Sequence, residues 1–458
     1  MNPSHQETAV GVSPLLRLTW PACALLLAGC QSYRAEPFDA ETFGRAWRAR
    51  SEGIATARPL PPAAANDLTN GLTLPEAEAV ALLYNPALRV ARLTSGVAQA
   101  RAAHAGRWAD PVLAVDAERI VSGAADPWVV GGVVNLTLPL TGRLEAEKRR
   151  AAAEHTAELV RVAGQEWATR QRLKMTWAEW STQAQRLALL DALIGRLDSL
   201  NRVVERLATA GALTRIEARL FRIERATRQA ERIASAARLT ELRLDLLATL
   251  GLMPDAPVTF VPAMPIEPVP VEAAALVARN FDIRTAAAEY ETAERALQRE
   301  VRAQYPDLVL GPGFGTDEGD ERVLLGLSLP LPLWNRNQAA IAEASANRRL
   351  ARTKLEMVIE TQTGALAAAR LRFDTAVRQR QLYESTIVPA ADEQAGDADR
   401  LAGMGEVNAV LLLDAFVRQH GARLALLDAR LAEAKAAAQL AELAGDAPVN
   451  GEAKEGVR

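Results

Sequence analysis

Two cysteines and four histidines are the side chains best suited to covalent or metal chemistry in this chain of 458 residues. Cys30 ends an apolar run that starts at Leu18, directly after Arg17, and a small residue precedes the cysteine. A positive charge, a short apolar stretch and small residues, in this order, are typical of a secretory signal. We therefore expect residues 1–29 to be a signal peptide.

The end of this signal, Leu27-Ala28-Gly29-Cys30, resembles the cleavage site of bacterial lipoproteins. The resemblance implies that Cys30 carries a covalent lipid such as palmitate, becomes the mature N-terminus, and anchors the chain through its acyl chains. Gln31 follows the cysteine where an aspartate would favour retention, and by the same resemblance this favours sorting to the outer membrane of a Gram-negative cell. The alternative is an ordinary signal peptide in which the cysteine occurs by chance.

The remaining chemistry-bearing residues do not form a recognisable catalytic or metal site. Cys23 lies in the signal, and His5, His104, His155 and His420 lack the spacing of metal ligands. The sequence has no glycine-rich phosphate loop and no nucleophile elbow, so we expect neither an enzyme nor a bound cofactor beyond the lipid. An enzyme with an unrecognised site is the alternative. The net charge of −3 gives no indication of a nucleic-acid partner.

The composition favours long helices. Alanine, leucine, arginine and glutamate dominate, and aromatic residues make up only 5 % of the chain. After Ala28 there is no run of about 18 apolar residues, so no transmembrane helix is predicted. If the chain crosses a membrane, it must do so with strands.

The chain is an internal duplication, because pairs of landmarks recur in the same order at nearly constant offset. The pairs are Asn85 and Asn280 (195 residues apart), Pro111 and Pro306 (195), Pro139 and Pro330 (191), and Gly211 and Gly405 (194). We predict two structural repeats, residues 71–265 and 266–445, preceded by an N-terminal arm (30–70) and followed by a disordered tail (446–458).

Each repeat is predicted to contain a helix, two strands, a very long helix and a return helix. The helices that open the repeats are predicted at 74–107 and 268–304, and the strands at 112–120, 128–138, 308–314 and 322–329. The long helices are predicted from 144 to about 208 and from 338 to about 400, with returns at 216–250 and 407–443. Apolar residues at heptad spacing indicate that the long and return helices form antiparallel coiled coils. At about 1.5 Å per residue, the first long helix would be about 100 Å in length.

The strands have one apolar and one polar face, because apolar and polar residues alternate along them. Thr137 and Ser328 belong to the polar set and are expected to face a lumen. Four strands cannot close a barrel, and an unpaired sheet edge is costly in a bilayer. Three copies would supply twelve strands, with the helices forming a hollow α-barrel. Trp128 and Trp334 flank strands, where they serve either ordinary packing or an aromatic girdle.

The chain resembles the TolC family of outer-membrane efflux factors over its mature length. The resemblance is carried by the repeat and by Asn85-Pro86, Tyr305-Pro306-Asp307-Leu308, Leu327 to Leu333, and Gly405 to Asn408 followed by Leu411-Leu412-Leu413-Asp414-Ala415. It implies a homotrimer that serves as the exit duct of a tripartite efflux system, with a periplasmic adaptor and an inner-membrane pump as partners. The alternative is a periplasmic coiled-coil scaffold lipoprotein without a pore.

The resemblance to one branch of this family suggests what the chain transports. Residues 330–338, Pro-Leu-Pro-Leu-Trp-Asn-Arg-Asn-Gln, followed by Ile341-Ala342-Glu343-Ala344, are similar to the heavy-metal cation efflux (CzcC-like) branch. Residues 139–143 fit that branch more loosely, because the usual Gly-Lys-Arg is not intact. The resemblance implies metal cations as one cargo, alongside organic solutes, drugs and secreted proteins.

Two groups of residues are candidate functional sites near the helix reversals. By resemblance, the reversals are periplasmic tips that contact the adaptor, and their residues are Gly211, Leu213, Thr214, Gly405, Val407 and Asn408. The alternative for both glycines is a simple helix C-cap. The second group is acidic and consists of Asp392, Glu393, Asp397 and Asp399. In a trimer, any acid that faces the axis becomes a ring of three that favours cations at a narrow aperture. The alternative is a solvated helix face.

Overall fold

The computed structural model describes residues 33–55, 71–119, 121–122, 128–265, 275–317, 320–404 and 409–445. The predicted signal peptide, Cys30, the turn residues Gly405, Val407 and Asn408, and the tail 446–458 lie outside the described residues. The chain divides into two units, Met1–Ala49 and Arg50–Arg458.

Helix α1 (Ala40–Ala55) lies within the segment expected as an N-terminal arm. Its first turn is capped by Asp39, whose Oδ1 accepts a hydrogen bond from the backbone N of Glu41 at 3.0 Å. Capping satisfies a backbone donor that has no partner within the helix. The arm therefore contains a regular helix, which the Pro/Ala-rich composition did not predict.

The second unit is mostly helical and contains one four-stranded antiparallel sheet, which confirms the predicted fold class. The first half consists of α2 (Leu74–Tyr84), α3 (Pro86–His104), β1 (Val112–Arg119), β2 (Trp128–Leu138), α4 (Arg143–Thr209) and α5 (Arg215–Thr249). The second half consists of α6 (Leu276–Arg279), α7 (Phe281–Arg302), β3 (Leu308–Asp317), β4 (Asp320–Ser328), α8 (Gln338–Leu382), a π-helical turn (Tyr383–Ile387), α9 (Val388–Gly403) and α10 (Ala409–Ala444).

An asparagine divides the first helix of each half in two, so the prediction of a single continuous helix was wrong. Asn85 and Asn280 have extended backbone angles (ψ 126° and 124°) and cap the helices that follow them. Each Oδ1 accepts from a backbone N three residues later, and each Nδ2 donates to a carbonyl near the end of the return helix. The partners are Leu88 (3.1 Å) and Thr249 (2.8 Å) for Asn85, and Ile283 (3.0 Å) and Leu443 (2.9 Å) for Asn280.

A glycine follows the return helix at the same place in both halves. Gly251 and Gly445 have φ of 68° and 71°, which favour glycine. A Cβ on either residue would overlap the carbonyl oxygen of Tyr84 or Arg279, respectively. The asparagine and the glycine therefore hold the return helix against the divided helix in both repeats.

The two halves differ in the size of the hydrophobic core near this junction. In the first half, Trp177 is fully buried, its ring centroid lies 5.1 Å from that of Phe260, and its Nε1 donates to the carbonyl of Val261 at 3.1 Å. Among the described residues, its cluster contains 15 buried residues, and the cluster around Ile283 and Leu366 contains five.

Helix α4 is the common element of the helical part. Near the strands it packs against α3 and α7, and α7 packs against α8. Near the reversals it packs against α5 and α10, and α10 packs against α9. Within the described part of the chain, no helix is both long and apolar enough to cross a membrane.

Candidate functional site

The four strands form a sheet in the order β1-β2-β3-β4, so each hairpin is antiparallel and the hairpins join through β2 and β3. The register places Leu113 opposite Val134, Gly132 opposite Phe314, and Phe314 opposite Val323. Because directly opposite residues share a face, one face can be read across all four strands.

This shared face is apolar along most of its length. Val323 and Leu325 of β4 are 86 % and 82 % exposed, although both are aliphatic. The other members of the face are Leu113, Val115, Ala117, Val130, Gly132, Val134, Leu136, Leu138, Leu308, Leu310, Pro312, Phe314 and Leu327. A continuous apolar surface of this kind marks contact with a partner or a membrane.

The opposite face is polar and rich in glycine. Thr137 and Ser328 both pair with Val309, so they lie in one row on this face, opposite the apolar residues. A Cβ on Gly313 would lie 2.7 Å from the carbonyl oxygen of Gly132, and one on Gly315 would lie 3.1 Å from that of Val130. From these close approaches we infer that β2 and β3 curl toward the polar face, which would make that face concave.

Aromatic residues stand at both ends of the sheet. At the end with the hairpin turns, the guanidinium of Arg119 lies 5.7 Å from the ring of Trp128. At the end that joins the helices, Trp108, Tyr305 and Trp334 are all exposed, the last to 88 %. Exposed aromatic residues on either side of an apolar band are typical of the two interfaces of a membrane.

The first helix reversal is a glycine-capped turn. Gly211 has φ of 75°, and the backbone N of Ala212 donates to the carbonyl of Leu207 at 2.9 Å, which closes the end of α4. No atom lies within 4 Å of a Cβ built on Gly211, so its role rests on its backbone angle. The cap interpretation therefore accounts for this glycine, and adaptor contact at this position stays a prediction.

Thr214 caps the return helix α5. Its Oγ1 accepts from the backbone N of Glu217 at 3.2 Å, and the Glu217 carboxylate accepts from the backbone N of Thr214 at 2.8 Å. The hydrogen bond from the Thr214 backbone holds the pKa of Glu217 below its usual range. Leu213 is half-buried against a cluster that contains Val204 and Phe221, so part of its surface is used inside the chain.

The four acids of the second reversal lie in different environments. Asp392 accepts hydrogen bonds from Gln419 (2.8 Å) and Arg423 (3.1 Å) of α10, so its charge is partnered. Asp397 pairs with Arg400 one turn later. Glu393 and Asp399 are exposed and have no ion pair among the described residues. The structure therefore does not gather these acids into one cluster within a single chain.

A charged network at the π-helical turn was not predicted from the sequence. Glu384 accepts from Arg380 at 2.6 Å and from Arg430 of α10 at 2.5 Å, and Arg380 also pairs with Glu433, which is buried. The hydrogen bonds from Arg430 and Arg380 lower the pKa of Glu384. π-helical turns occur frequently at functional sites, and Pro389 in the predicted helix was the available sequence signal.

The described residues contain no group of three or more His, Cys, Asp or Glu side chains that could hold a metal ion. His420 is buried in α10, and burial lowers its pKa.

Comparison with known proteins assigns this architecture. Residues 274–446 match the family model "Outer membrane efflux protein". This match covers most of the second repeat, and the solved structures below share the fold over most of the chain. No curated protein matches this chain by sequence.

Solved structures share the fold of this chain over most of its length. A membrane protein from Pseudomonas aeruginosa is 19 % identical with a TM-score of 0.70, covering 85 % of this chain and 96 % of its own. CusC, in a structure on folding and transmembrane channel formation, is 16 % identical with a TM-score of 0.69, covering 91 % and 99 %. The outer membrane protein VceC from Vibrio cholerae is 18 % identical with a TM-score of 0.69, covering 81 % and 96 %.

Proposed function

We propose that three copies of this chain form a channel in the outer membrane of a Gram-negative cell, the exit duct of an efflux system. The observation that carries the proposal is the sheet with a continuous apolar face and a concave polar face. An apolar convex surface suits lipid, and a concave surface lined by Thr137, Ser328 and glycines suits water.

The edges of the sheet support the participation of further copies. β1 and β4 each pair on one side only among the described residues. β4 is exposed along its whole length and carries four aliphatic residues. Such an edge is a template for pairing, and in a bilayer each unpaired backbone group costs several kcal/mol. Pairing of β4 with β1 of the next copy would close twelve strands around a water-filled bore.

The aromatic residues support the placement of the sheet in the membrane. Trp128 lies at one end of the apolar face, and Trp334 lies just beyond the other end. Strand β4 (Asp320–Ser328) spans about 27 Å at roughly 3.4 Å per residue, close to the apolar band of outer-membrane barrels. The helices that continue from the strands would then extend into the periplasm.

Partners, anchor and cargo are further parts of the proposal. A lipid on Cys30 would tether the chain to the same membrane, and the helix reversals would contact a periplasmic adaptor that links the duct to an inner-membrane pump. Heavy-metal cations are the proposed cargo, on the basis of the sequence of residues 330–344. Loss of metal tolerance on deletion of the gene would support this cargo, and unchanged tolerance would contradict it.

The decisive experiment is conductance of the purified chain in planar bilayers, combined with heat-sensitive migration as a trimer on gels. A matched pair of variants tests the two faces of β4. Leu325→Arg places a charge on the apolar face and should cost about 2–4 kcal/mol at the membrane midplane, so insertion and conductance should be lost. Leu324→Arg places the same charge on the polar face and should leave conducting trimers with altered ion selectivity.

Two results would contradict the proposal. A purified chain that forms no trimer and carries no current would favour the periplasmic scaffold instead. Equal insertion of both arginine variants would show that the two faces are not lipid and water.

A further inference from the structure

The two helix reversals carry opposite charge, although they occupy the same place in the two repeats. Residues 198–222 contain five arginines and three acids, for a net charge of +2. The window 194 residues later, 392–416, contains one arginine and six acids, for a net charge of −5. A difference of this size between repeats is too large to follow from the shared fold, and it indicates different neighbours.

The first reversal presents a basic edge on α5, which we define as Arg215, Arg219 and Arg222. Their spacing of four and three residues places them on one face of the helix. All three are exposed and have no ion pair among the described residues. Beside them Ile216 and Ile223 are 71 % and 63 % exposed, so an apolar stripe borders the basic row.

The second reversal presents an acidic edge on α9, which we define as Glu393 and Asp397. The opposite side of α9 is fixed by Ala395 and Ala398, which are buried against α4 and α10. At 100° per residue, Glu393 and Asp397 then point away from this core. Asp397 is paired only with Arg400 of its own helix, an exposed pair that contributes little.

The two edges lie on opposite sides of the helical layer and at the same height. α5 packs mainly on α4 and α9 mainly on α10, so each is an outer helix. Leu213 and Phe221 share a cluster with Ala409 and Leu413, which places both reversals at one end. Arg222 is 7 residues inside α5, and Asp397 is 6 residues inside α9. At about 1.5 Å per residue the charges match to within one helical turn.

We propose that the basic edge of one copy docks on the acidic edge of the next copy. Because the two edges are different surfaces, the contact is head-to-tail and repeats around a closed ring. The inference rests on the proposed trimer and adds the contact that closes its helical end. It assigns Glu393 and Asp397 to a contact between copies rather than to a ring of free carboxylates at an aperture.

Cysteine cross-linking tests the contact in the full chain. The sequence has no cysteine other than Cys23 and Cys30, so Ile216→Cys with Leu401→Cys supplies one probe on each edge. Oxidation should join copies into covalent dimers and trimers on denaturing gels. The yield should fall as salt is raised, because exposed charges are screened within about 10 Å at 0.1 M ionic strength.

Charge reversal provides the critical comparison. Arg215→Glu, Arg219→Glu and Arg222→Glu together should lower the cross-linking yield at least about tenfold, because like charges then face each other across the contact. Adding Glu393→Arg and Asp397→Arg to the same chain should restore it, since opposite charges again face each other across the contact. Arg372→Glu with Arg378→Glu on α8 changes the net charge without touching either edge and should leave the yield unchanged.

The outcomes separate this inference from the proposed function. Conducting trimers without cross-links, or cross-links indifferent to charge reversal, would overturn the inference and leave the channel intact. Cross-linking of Ile216→Cys to a different protein, such as an adaptor with an acidic helix, would also overturn it. Failure to form trimers or to conduct would overturn both.

Discussion

The long helix of the first repeat is continuous, whereas its counterpart in the second repeat is interrupted. α4 is unbroken over 67 residues. The second repeat covers the same distance with helices of 45 and 16 residues separated by a five-residue π-helical turn. A π-helical turn widens the hydrogen-bond pattern and accommodates Pro389, which cannot donate a backbone hydrogen bond. The first repeat therefore has one continuous long helix. The long helix of the second repeat is interrupted by a π-helical turn that charged side chains stabilise.

The largest expected difference is between Trp177, which is buried in the first long helix, and Leu371, which is exposed on the second. Trp177→Ala should lower the free energy of unfolding by about 3–5 kcal/mol, because it empties a fully buried site. Leu371→Ala, 194 residues later, should change it by no more than about 0.5 kcal/mol, because Leu371 is 69 % exposed. Urea unfolding of the refolded chain in detergent, followed by circular dichroism, measures both. Equal losses would mean that the second repeat has an equivalent core after all.

The asparagines should behave alike, because both make the same two kinds of hydrogen bond. Asn85→Ala and Asn280→Ala should each cost about 1–2 kcal/mol in the same unfolding measurement. Asn85→Asp is the matched control, since it keeps the cap acceptor and loses the donor to Thr249. A difference of more than about 1 kcal/mol between the two alanine variants would contradict a shared clamp.

The glycine of the first reversal should be more tolerant than the glycines behind the return helices. Gly211→Ala should cost about 1–2 kcal/mol, the cost of a left-handed angle for a residue with a Cβ. Gly251→Ala adds overlap with the Tyr84 carbonyl to the same angle and should cost clearly more. If both variants unfold at the same urea concentration, the close approach at Gly251 does not constrain the fold.

The smallest expected effect is a local change in hydrogen exchange at the π-helical turn. Glu384→Gln removes the charge that Arg380 and Arg430 share, so amides of the π-helical turn and of α9 should exchange hydrogen about 5- to 30-fold faster. Amides of α4 at the same height should be unaffected. Glu356→Gln is the control, because Glu356 pairs only within α8. Uniform exchange in both long helices would mean that the π-helical turn is no less stable than the continuous helix α4.

Acidification should destabilise the π-helical turn, as Glu384→Gln is expected to do. The pKa of Glu384 is held below its usual 4.5 in the folded chain, so its contribution to stability is present above that value. This contribution is lost as the pH falls through the lowered pKa, because the neutral carboxyl no longer binds both arginines. The protection factors of amides in the π-helical turn of the natural chain should therefore fall below pH 4.5, and Glu384→Gln should remove this fall.

Local periodicity and turn residues account for what the sequence predicted. The alternation of apolar and polar residues over 128–138 and the heptad spacing in the long helices are local patterns. The strands and long helices were therefore predicted within a few residues of their observed ends. The division at Asn85 was missed although an asparagine before a proline disfavours helix. The π-helical turn was missed because Pro389 was passed over within a strong helical pattern.

The candidate site was harder to predict from the sequence, because it depends on contacts between residues that are far apart in the chain. The polarity of Thr137 and Ser328 was readable, but the curl of the sheet toward them depends on glycines from β2 and β3 that meet only after folding. The links of Glu384 to Arg430 and of Arg380 to Glu433 join residues 46 and 53 positions apart. No local pattern specifies which of several acids and arginines will form such pairs.

The row Gly311, Gly313 and Gly315 has a consequence for anything that travels along the concave side of the sheet. Where side chains are missing, the wall consists of peptide groups, whose dipoles are the same for every solute and cannot be tuned by exchange of a functional group. In the proposed channel, such a stretch would separate solutes by size rather than by chemical group. A channel of this kind would accept exported compounds that differ in chemistry without a change in its own sequence.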